Sequence, residues 1–373
     1  MAPLNILHVL RTPVGGLFRH VLDLTRGQVA RGHRVGLVMD ADTGGAHVDA
    51  ILKDLEPSLA LGLSRHSMRR APGIADLAAL IRVKKRIAAL APDVVHGHGA
   101  KGGAYARLAW NGRGAARAYT PHGGSLHYDR DTLAGRLYLG TERLLMPRTD
   151  VVIFESAFSA DIYRRKVGAA RLGRVVHNGV GDGEFEPVPP AADPTDLLFI
   201  GELRHIKGVD VLIDAIAQLR ERRPALTATI VGAGAEREAF ERQAAALGLA
   251  QAVRFPGAMP ARQAFALGRL LIVPSRAESL PYVVLEAGAA GKPLIATRVG
   301  GMAEIFGPGA PRLVPPDDAA ALADAIARAL HRPDDAAAAA ANLRGCIGQD
   351  FTIDRMVDGV LAAYADAIAA RPR

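Results

Sequence analysis

Leu270–Leu271–Ile272–Val273–Pro274–Ser275–Arg276–Ala277–Glu278–Ser279–Leu280–Pro281–Tyr282–Val283–Val284–Leu285–Glu286 reads as three pieces in succession. Four apolar residues make a short buried strand, a polar loop follows, and Pro281 stands where a helix can begin, since proline is tolerated at a first helical position. The backbone N–H groups of Val283 and Val284 then lie near a helix N-terminus, a natural seat for a diphosphate. Glu278 in the loop and Glu286 on the helix accept hydrogen bonds, which suits ribose or sugar hydroxyls. Taken alone, the same two carboxylates favour the plainer reading, one capping the helix and one on its solvated face.

A second segment has the same shape. In Phe199–Ile200–Gly201–Glu202–Leu203–Arg204–His205–Ile206–Lys207–Gly208 a strand ends at glycine, and two cations precede the next helix. Arg204 offers a planar fork for phosphate oxygens and Lys207 a point charge. Working outward, short apolar runs alternate with helix-like segments along the whole chain. In the front half the runs are Asn5–Leu10, Arg34–Met39, Val94–Gly97, Ala116–Thr120, Val151–Phe154 and Arg174–His177. The helix-like segments between them are Phe18–Ala30, Ile74–Leu90, Lys101–Trp110 and Thr132–Leu145. The pattern restarts at Leu197–Ile200 and runs through Thr227–Val231, Ala252–Phe255, Leu270–Val273, Leu294–Thr297 and Arg312–Val314. This alternation predicts an α/β chain with two doubly wound parallel sheets. Pro187, Pro189, Pro190 and Pro194 mark residues 184–194 as an interdomain linker. The expected division is 1–183, linker 184–194 and 195–351, with a C-terminal helix in 352–373 returning to the first domain. Two such domains facing each other would enclose a cleft at their strand C-termini.

Together, GELRHIKG and ESLPYVVLE resemble the donor site of the retaining glycosyltransferase family 4, which has the GT-B architecture of two Rossmann-like domains. Asn178–Gly179–Val180, Val231–Gly232–Ala233–Gly234 and Phe255–Pro256–Gly257 extend the likeness, which is strongest over 197–304. The resemblance implies that Arg204 and Lys207 hold the donor diphosphate, that Glu286 binds the ribose and that Glu278 lies by the transferred sugar. Many members carry arginine where this chain has Glu202. The family also places Gly15–Gly16 near the donor phosphates and acceptor, and His122, in Thr120–Pro121–His122–Gly123, near the reacting sugar. The donor set is completed by Ser279, Leu280, Val283, Val284, Gly257 and Met259, and His20, Lys101 and Gly102 are candidate acceptor contacts. No cofactor or metal is expected.

Composition narrows the remaining choices. Of 373 residues, 49% are apolar and 23% charged, the balance of a folded globular chain, and one cysteine, Cys346, provides neither a disulfide framework nor a zinc cage. No apolar run reaches the roughly 18 residues of a membrane span, and the N-terminus lacks a signal-peptide pattern, so a cytoplasmic protein is expected. Charge is uneven: residues 1–177 hold 26 Lys+Arg and 14 Asp+Glu, a balance of +12, against 20 and 24, or −4, in the remainder. Nucleic acid is disfavoured by 5% aromatics without a basic–aromatic patch. Arg136–Leu137–Tyr138–Leu139 and Arg143–Leu144–Leu145–Met146 instead suit a helix that lies on an anionic membrane or packs in the core. His96 and His98 can share a strand face, but without a third ligand nearby in sequence they point only weakly to metal. Asp40–Ala41–Asp42 reads as a loop, and Gly232–Ala233–Gly234 fails the dinucleotide fingerprint because Arg237 occupies its last glycine position.

The expected activity is transfer of a sugar from a UDP- or GDP-sugar to a glycan or polyprenyl-diphosphate-linked acceptor, with retention. A sugar-nucleotide epimerase and a non-catalytic nucleotide-sugar sensor are the alternatives.

Overall fold

The computed structural model describes residues 2–69, 71, 73–109 and 114–371. The chain divides into two compact units, Met1–Gly179 with Ile353–Arg373, and Val180–Thr352.

The first unit is built on seven strands: β1 (Asn5–Leu10), β2 (Arg34–Asp40), β3 (Leu63–His66), β4 (Val94–His98), β5 (Ala116–Thr120), β6 (Val151–Phe154) and β7 (Gly173–Val175). They form one parallel sheet in the order β3-β2-β1-β4-β5-β6-β7. β1, β2, β4, β5 and β6 are almost wholly buried, as expected of a sheet covered on both faces. The strand order reverses between β1 and β4, the switch point at which doubly wound sheets open a crevice. Register there sets Leu10 opposite His98 and His98 opposite Thr120, so three strand ends lie side by side. The helix Gly15–Ala30 follows β1, and the last helix, Ile353–Ala369, packs Val357, Val360 and Tyr364 with Ile6 and Leu24. Gly27 allows this close approach: a Cβ there would stand 2.4 Å from Val357 Cγ2.

The second unit has β8 (Thr195–Ile200), β9 (Ala228–Val231), β10 (Val253–Gly257), β11 (Gly268–Val273) and β12 (Leu294–Ala296), all parallel in the order β10-β9-β8-β11-β12. Its switch point falls between β8 and β11, which places the loops after Ile200 and Val273 next to each other.

Several local expectations are revised. β3, with the sequence LSRH, has a single apolar residue and leaves no periodic signal, and the helix Gly45–Leu55 is likewise unanticipated. Arg312–Val314 is not a strand: Pro308 and Pro311 hold Gly307–Arg312 in a 3-10 helix, leaving one bridge between Thr297 and Val314. The helix expected at Lys101–Trp110 is Gly99–Leu108, and Trp110 lies outside the described residues. Residues 184–194 belong to the second unit, tied down by Arg262 on the carbonyls of Glu184 and Glu186 and by the Ala191 amide on Ala266. Among the described residues, no helix is long and apolar enough to cross a membrane.

Candidate functional site

In the second unit the two cation- and carboxylate-bearing loops meet. Lys207 Nζ stands 2.6 Å from Glu278 Oε1, across 71 residues of sequence, and Ser275 Oγ donates to the same oxygen at 2.7 Å. Glu278 is therefore held in place with its side chain only 9% exposed, while Arg204 stays out in solvent, 3.5 Å from Glu202. Arg204 is thus partnered by Glu202, two residues before it.

The loops are held by backbone approach and by one arginine. Gly208 has φ +69, and a Cβ on it would lie 2.0 Å from the Pro274 carbonyl oxygen. Gly300, at φ +56, would collide at 1.8 Å with the carbonyl of Glu278. Both positions need glycine, because no side chain fits and the left-handed backbone is strained for other residues. Arg276 spans the site: its guanidinium takes both Asp210 oxygens at 2.7 Å, with Asp317 and the His205 carbonyl as further partners. Burial pushes the Asp210 carboxyl up, but the Arg276 hydrogen bonds and charge outweigh it and hold Asp210 below the ordinary range.

The helix Tyr282–Ala289 begins after Pro281, its N-cap. Val284 N–H is engaged by the Pro281 carbonyl at 3.2 Å, so the expectation of two open amides reduces to that of Val283. Glu286 is half-buried on this helix. Leu280 packs into the core, and the Ser279 carbonyl accepts from Gly301. Gly257 ends β10 with its carbonyl accepting from Gly232, and half-buried Met259 packs on the same core.

In the first unit the strand ends carry histidines, and these are buried. His8 Nδ1 meets His98 Nε2 at 2.9 Å, His98 Nδ1 meets His122 Nε2 at 3.0 Å, and His122 Nδ1 lies 3.2 Å from Glu155 Oε1. His8 Nε2 faces Gln28 Oε1 at 2.9 Å, His20 Nδ1 faces Asn178 Oδ1 at 3.0 Å, and His96 lies between the Tyr364 and Thr120 hydroxyls. Burial pulls His8 down to about 4 and holds His20, His96 and His98 well below the usual histidine value, so these four rings are neutral near pH 7. His122 adopts φ +51, a conformation rare for a side-chain-bearing residue, which turns its ring into this group. As found, both nitrogens of His122 face protein atoms and its side chain is 7% exposed.

Gly15 and Gly16 stand exposed at the start of their helix, Gly15 with φ +66. Two of the acceptor candidates have other work. Lys101 spends its ammonium on Asp76 and on the carbonyls of Arg69 and Ala71. Gly102 is buried against β1, where a Cβ would lie 2.5 Å from the Val9 carbonyl. Asp40 accepts from Thr43 and from the Met68 amide, which explains the Asp-x-Asp loop without a ligand. His8, Gln28 and Glu155 escaped the sequence reading, and Asn178 entered it only as part of the Asn178–Gly179–Val180 likeness; strand register, invisible in a list of motifs, is what gathers them.

Comparison with known proteins agrees with this geometry. Residues 14–182 match the model of glycosyltransferase family 4 and residues 183–345 that of glycosyl transferases group 1. A glycogen synthase of Mycobacterium tuberculosis is 28% identical over 95% of this chain and 92% of its own length. A D-inositol 3-phosphate glycosyltransferase of Frankia alni is 30% identical over 74% of this chain and 75% of its own. Sucrose-phosphate synthase from Thermosynechococcus elongatus superposes with a TM-score of 0.83 at 22% identity, covering 99% of this chain and all of that one. Anabaena HepE, solved with UDP, gives 0.79 at 21% identity over 97% of this chain and all of that one. The fold and the paired loops define a GT-B glycosyltransferase. The chain belongs to glycosyltransferase family 4, of the group 1 type.

Proposed function

We propose that the enzyme transfers a sugar, with retention at the anomeric carbon, from a UDP- or GDP-sugar to a glycan or polyprenyl-diphosphate-linked acceptor in surface polysaccharide or glycolipid synthesis. The observation that supports it most directly is the meeting of Lys207 and Glu278. A cation suited to a diphosphate and a carboxylate suited to sugar hydroxyls stand 2.6 Å apart on neighbouring strand-end loops. Arg204, Lys207 and the Val283 amide would stabilise the charge that collects on the leaving diphosphate, so transfer proceeds without a metal at that group. Glu286 takes the ribose, with Gly257, Met259, Ser279, Leu280 and Val284 around the nucleotide. The family resemblance sets Gly15 and Gly16 near the donor phosphates and acceptor and His122 near the reacting sugar, and His20 is a candidate acceptor contact. The acceptor hydroxyl loses its proton to a donor phosphate oxygen as the new glycosidic bond forms on the face the diphosphate leaves. We propose a cytoplasmic enzyme that works at the inner membrane face through Leu133, Leu137 and Leu144, which are 85%, 58% and 73% exposed on the helix Leu133–Leu145 beside Arg136.

Calorimetry with UDP, GDP, ADP and NAD tests the donor class. One nucleoside diphosphate should bind tightly to the native chain and poorly to Arg204→Ala and Lys207→Ala, whereas binding of NAD alone would refute the reading. Release of nucleoside diphosphate with an α-linked product from an α-linked donor, followed by NMR, separates transfer from epimerisation and from silent binding. Flotation with anionic vesicles tests the membrane face, and failure to float in low salt would refute it.

A further inference from the structure

Among the described residues, two groups of three histidines each bring one ring nitrogen per residue within 4.8 Å of the others: His8–His96–His98 and His20–His98–His122. The first group is spent on itself. His96 has Nδ1 on the Tyr364 hydroxyl at 2.7 Å and Nε2 on Thr120 at 2.8 Å, while His8 is used by His98 and Gln28.

The second group leaves one ring nitrogen, His20 Nε2, without a partner. Gln28 Nε2 faces the Tyr364 hydroxyl, so Gln28 Oε1 accepts from His8 Nε2–H. His8 Nδ1 is then an acceptor, His98 Nε2–H donates to it, and His98 Nδ1 keeps a lone pair. Asn178 Oδ1 accepts from His20 Nδ1–H, which leaves a lone pair on His20 Nε2, a buried atom with no hydrogen-bond partner. His122 Nε2–H donates to His98 Nδ1, and His122 Nδ1 faces the Glu155 carboxylate at 3.2 Å. Glu155 Oε2 is buried and unpartnered as well. His20 Nε2, within the histidine group, and Glu155 Oε2, beside it, are thus buried polar atoms without a hydrogen-bond partner.

We propose that His20, His98 and His122 form a binding site for one divalent transition-metal ion of the zinc class. His20 Nε2 and His98 Nδ1 would coordinate with the tautomers they already have, and burial keeps both rings neutral and ready. At His122 the proton on Nε2 leaves, to Nδ1 or to water, so that Nε2 becomes a ligand while Nδ1–H donates to Glu155. Each ligand then has an anchor on its far nitrogen: Asn178 for His20, His8 for His98 and the Glu155 carboxylate for His122. Such outer partners are the usual companions of metal-bound histidine. Two nitrogens on a tetrahedral ion at about 2.0–2.1 Å stand roughly 3.3–3.4 Å apart. His98 Nδ1 and His122 Nε2 are 3.0 Å apart, so a small opening suffices for that pair. A set of imidazoles favours zinc, cobalt, nickel or copper over magnesium and calcium, and three ligands leave a fourth position for water.

The ion would occupy the His122 nitrogen, so it would inhibit sugar transfer rather than assist it. That consequence rests on the proposed function; the binding does not. The test uses the full chain, stripped with chelator and dialysed against micromolar free Zn²⁺ or Co²⁺. One ion per chain is expected, with the intense visible bands of tetrahedral Co²⁺. His20→Ala should weaken binding at least 100-fold and the isosteric Glu155→Gln about 10–100-fold. His47→Ala and His331→Ala, on exposed histidines, should leave it unchanged. Circular dichroism establishes that each variant is folded, and Glu155→Gln carries the test if His20→Ala is not. No bound ion, a six-coordinate Co²⁺ spectrum, or undiminished binding in folded Glu155→Gln and His20→Ala would overturn the proposal. Zinc that inhibits transfer until chelator is added supports the consequence. A chain that binds the ion in this way but transfers no sugar would refute the proposed function and leave the metal site standing.

Discussion

The two strand-end sites are built from similar folds and solve opposite problems. In the second unit, charges sit on loops that glycines draw together, and Arg204 and Lys207 keep enough exposure, 47% and 27%, to meet a ligand. In the first unit, polar groups lie on and just beyond the strands themselves, and His8, His20, His96 and His98 are at most 1% exposed. The arrangement of the second unit spends little on desolvation and, under the proposed function, receives an anion. That of the first unit removes imidazoles from water and replaces hydration with a set of mutual hydrogen bonds, which makes it sensitive to any added charge.

The largest effect should come from emptying the open site. Replacing Arg204 and Lys207 together by alanine should reduce nucleoside diphosphate affinity by more than 100-fold, since each charged hydrogen bond is worth about 1.5–3 kcal/mol. Calorimetry reads this directly. If the double variant bound within tenfold of the native chain, the loops would not be the anion seat, and the contrast between the sites would fail.

Acid should find the closed site first. The four buried histidines titrate below their unfolded value of 6.5, so the stability they confer is complete above that pH. It is lost as the pH falls from 6.5 toward their folded values, where the unfolded chain binds more protons. For His8, moved to about 4, the loss approaches about 3 kcal/mol over that window. In the second unit Asp210 is held below its ordinary value of 3.8, so its contribution survives until the pH drops under about 4. Hydrogen exchange corrected for intrinsic pH dependence should show β1, β4 and β5 opening between pH 6.5 and 4 while β8 and β11 stay protected. Equal loosening of both units would break the comparison.

The same contrast explains what could be read from sequence. Lys207 and Glu278 are legible because each sits in a short run whose residue types and order carry the chemistry, and the strands before them announce themselves by apolar runs. His20, His96, His98 and His122 stand out one at a time, but the group they form is illegible because its members come from β1, the helix after it, β4 and the turns beyond β5 and β6. No window contains two of its anchors. Only the pairing of Leu10 with His98, and of His98 with Thr120, brings them together. Lys101 and Gly102 show a related limit: a lysine and a glycine just after a strand look open in sequence, whereas in the fold Asp76 pairs with the first and the Val9 carbonyl lies against the second.

A tighter test of that packing role is Gly102→Ala. The added Cβ would meet the Val9 carbonyl at 2.5 Å and Leu10 Cα at 2.8 Å, both backbone atoms that cannot swing aside. Overpacking of this kind costs about 1–3 kcal/mol. Thermal unfolding should register it, with nucleotide affinity of the second unit unchanged. A loss of acceptor affinity at full stability would instead return Gly102 to the binding surface.

The smallest effect concerns Glu202. Its carboxylate lies 3.5 Å from Arg204 with both side chains about half exposed, a geometry in which ion pairs contribute little. Glu202→Ala should therefore change donor affinity by less than about fivefold, and in the direction of tighter binding, because it frees Arg204 and removes a negative charge from the diphosphate seat. The gain should be largest at low salt and fade as the ionic strength rises past about 0.15 M, where exposed charges are screened within roughly 8 Å. Weaker binding would mean that Glu202 orients Arg204 rather than competing for it. In that case the open site would share with the closed one a dependence on internal partners.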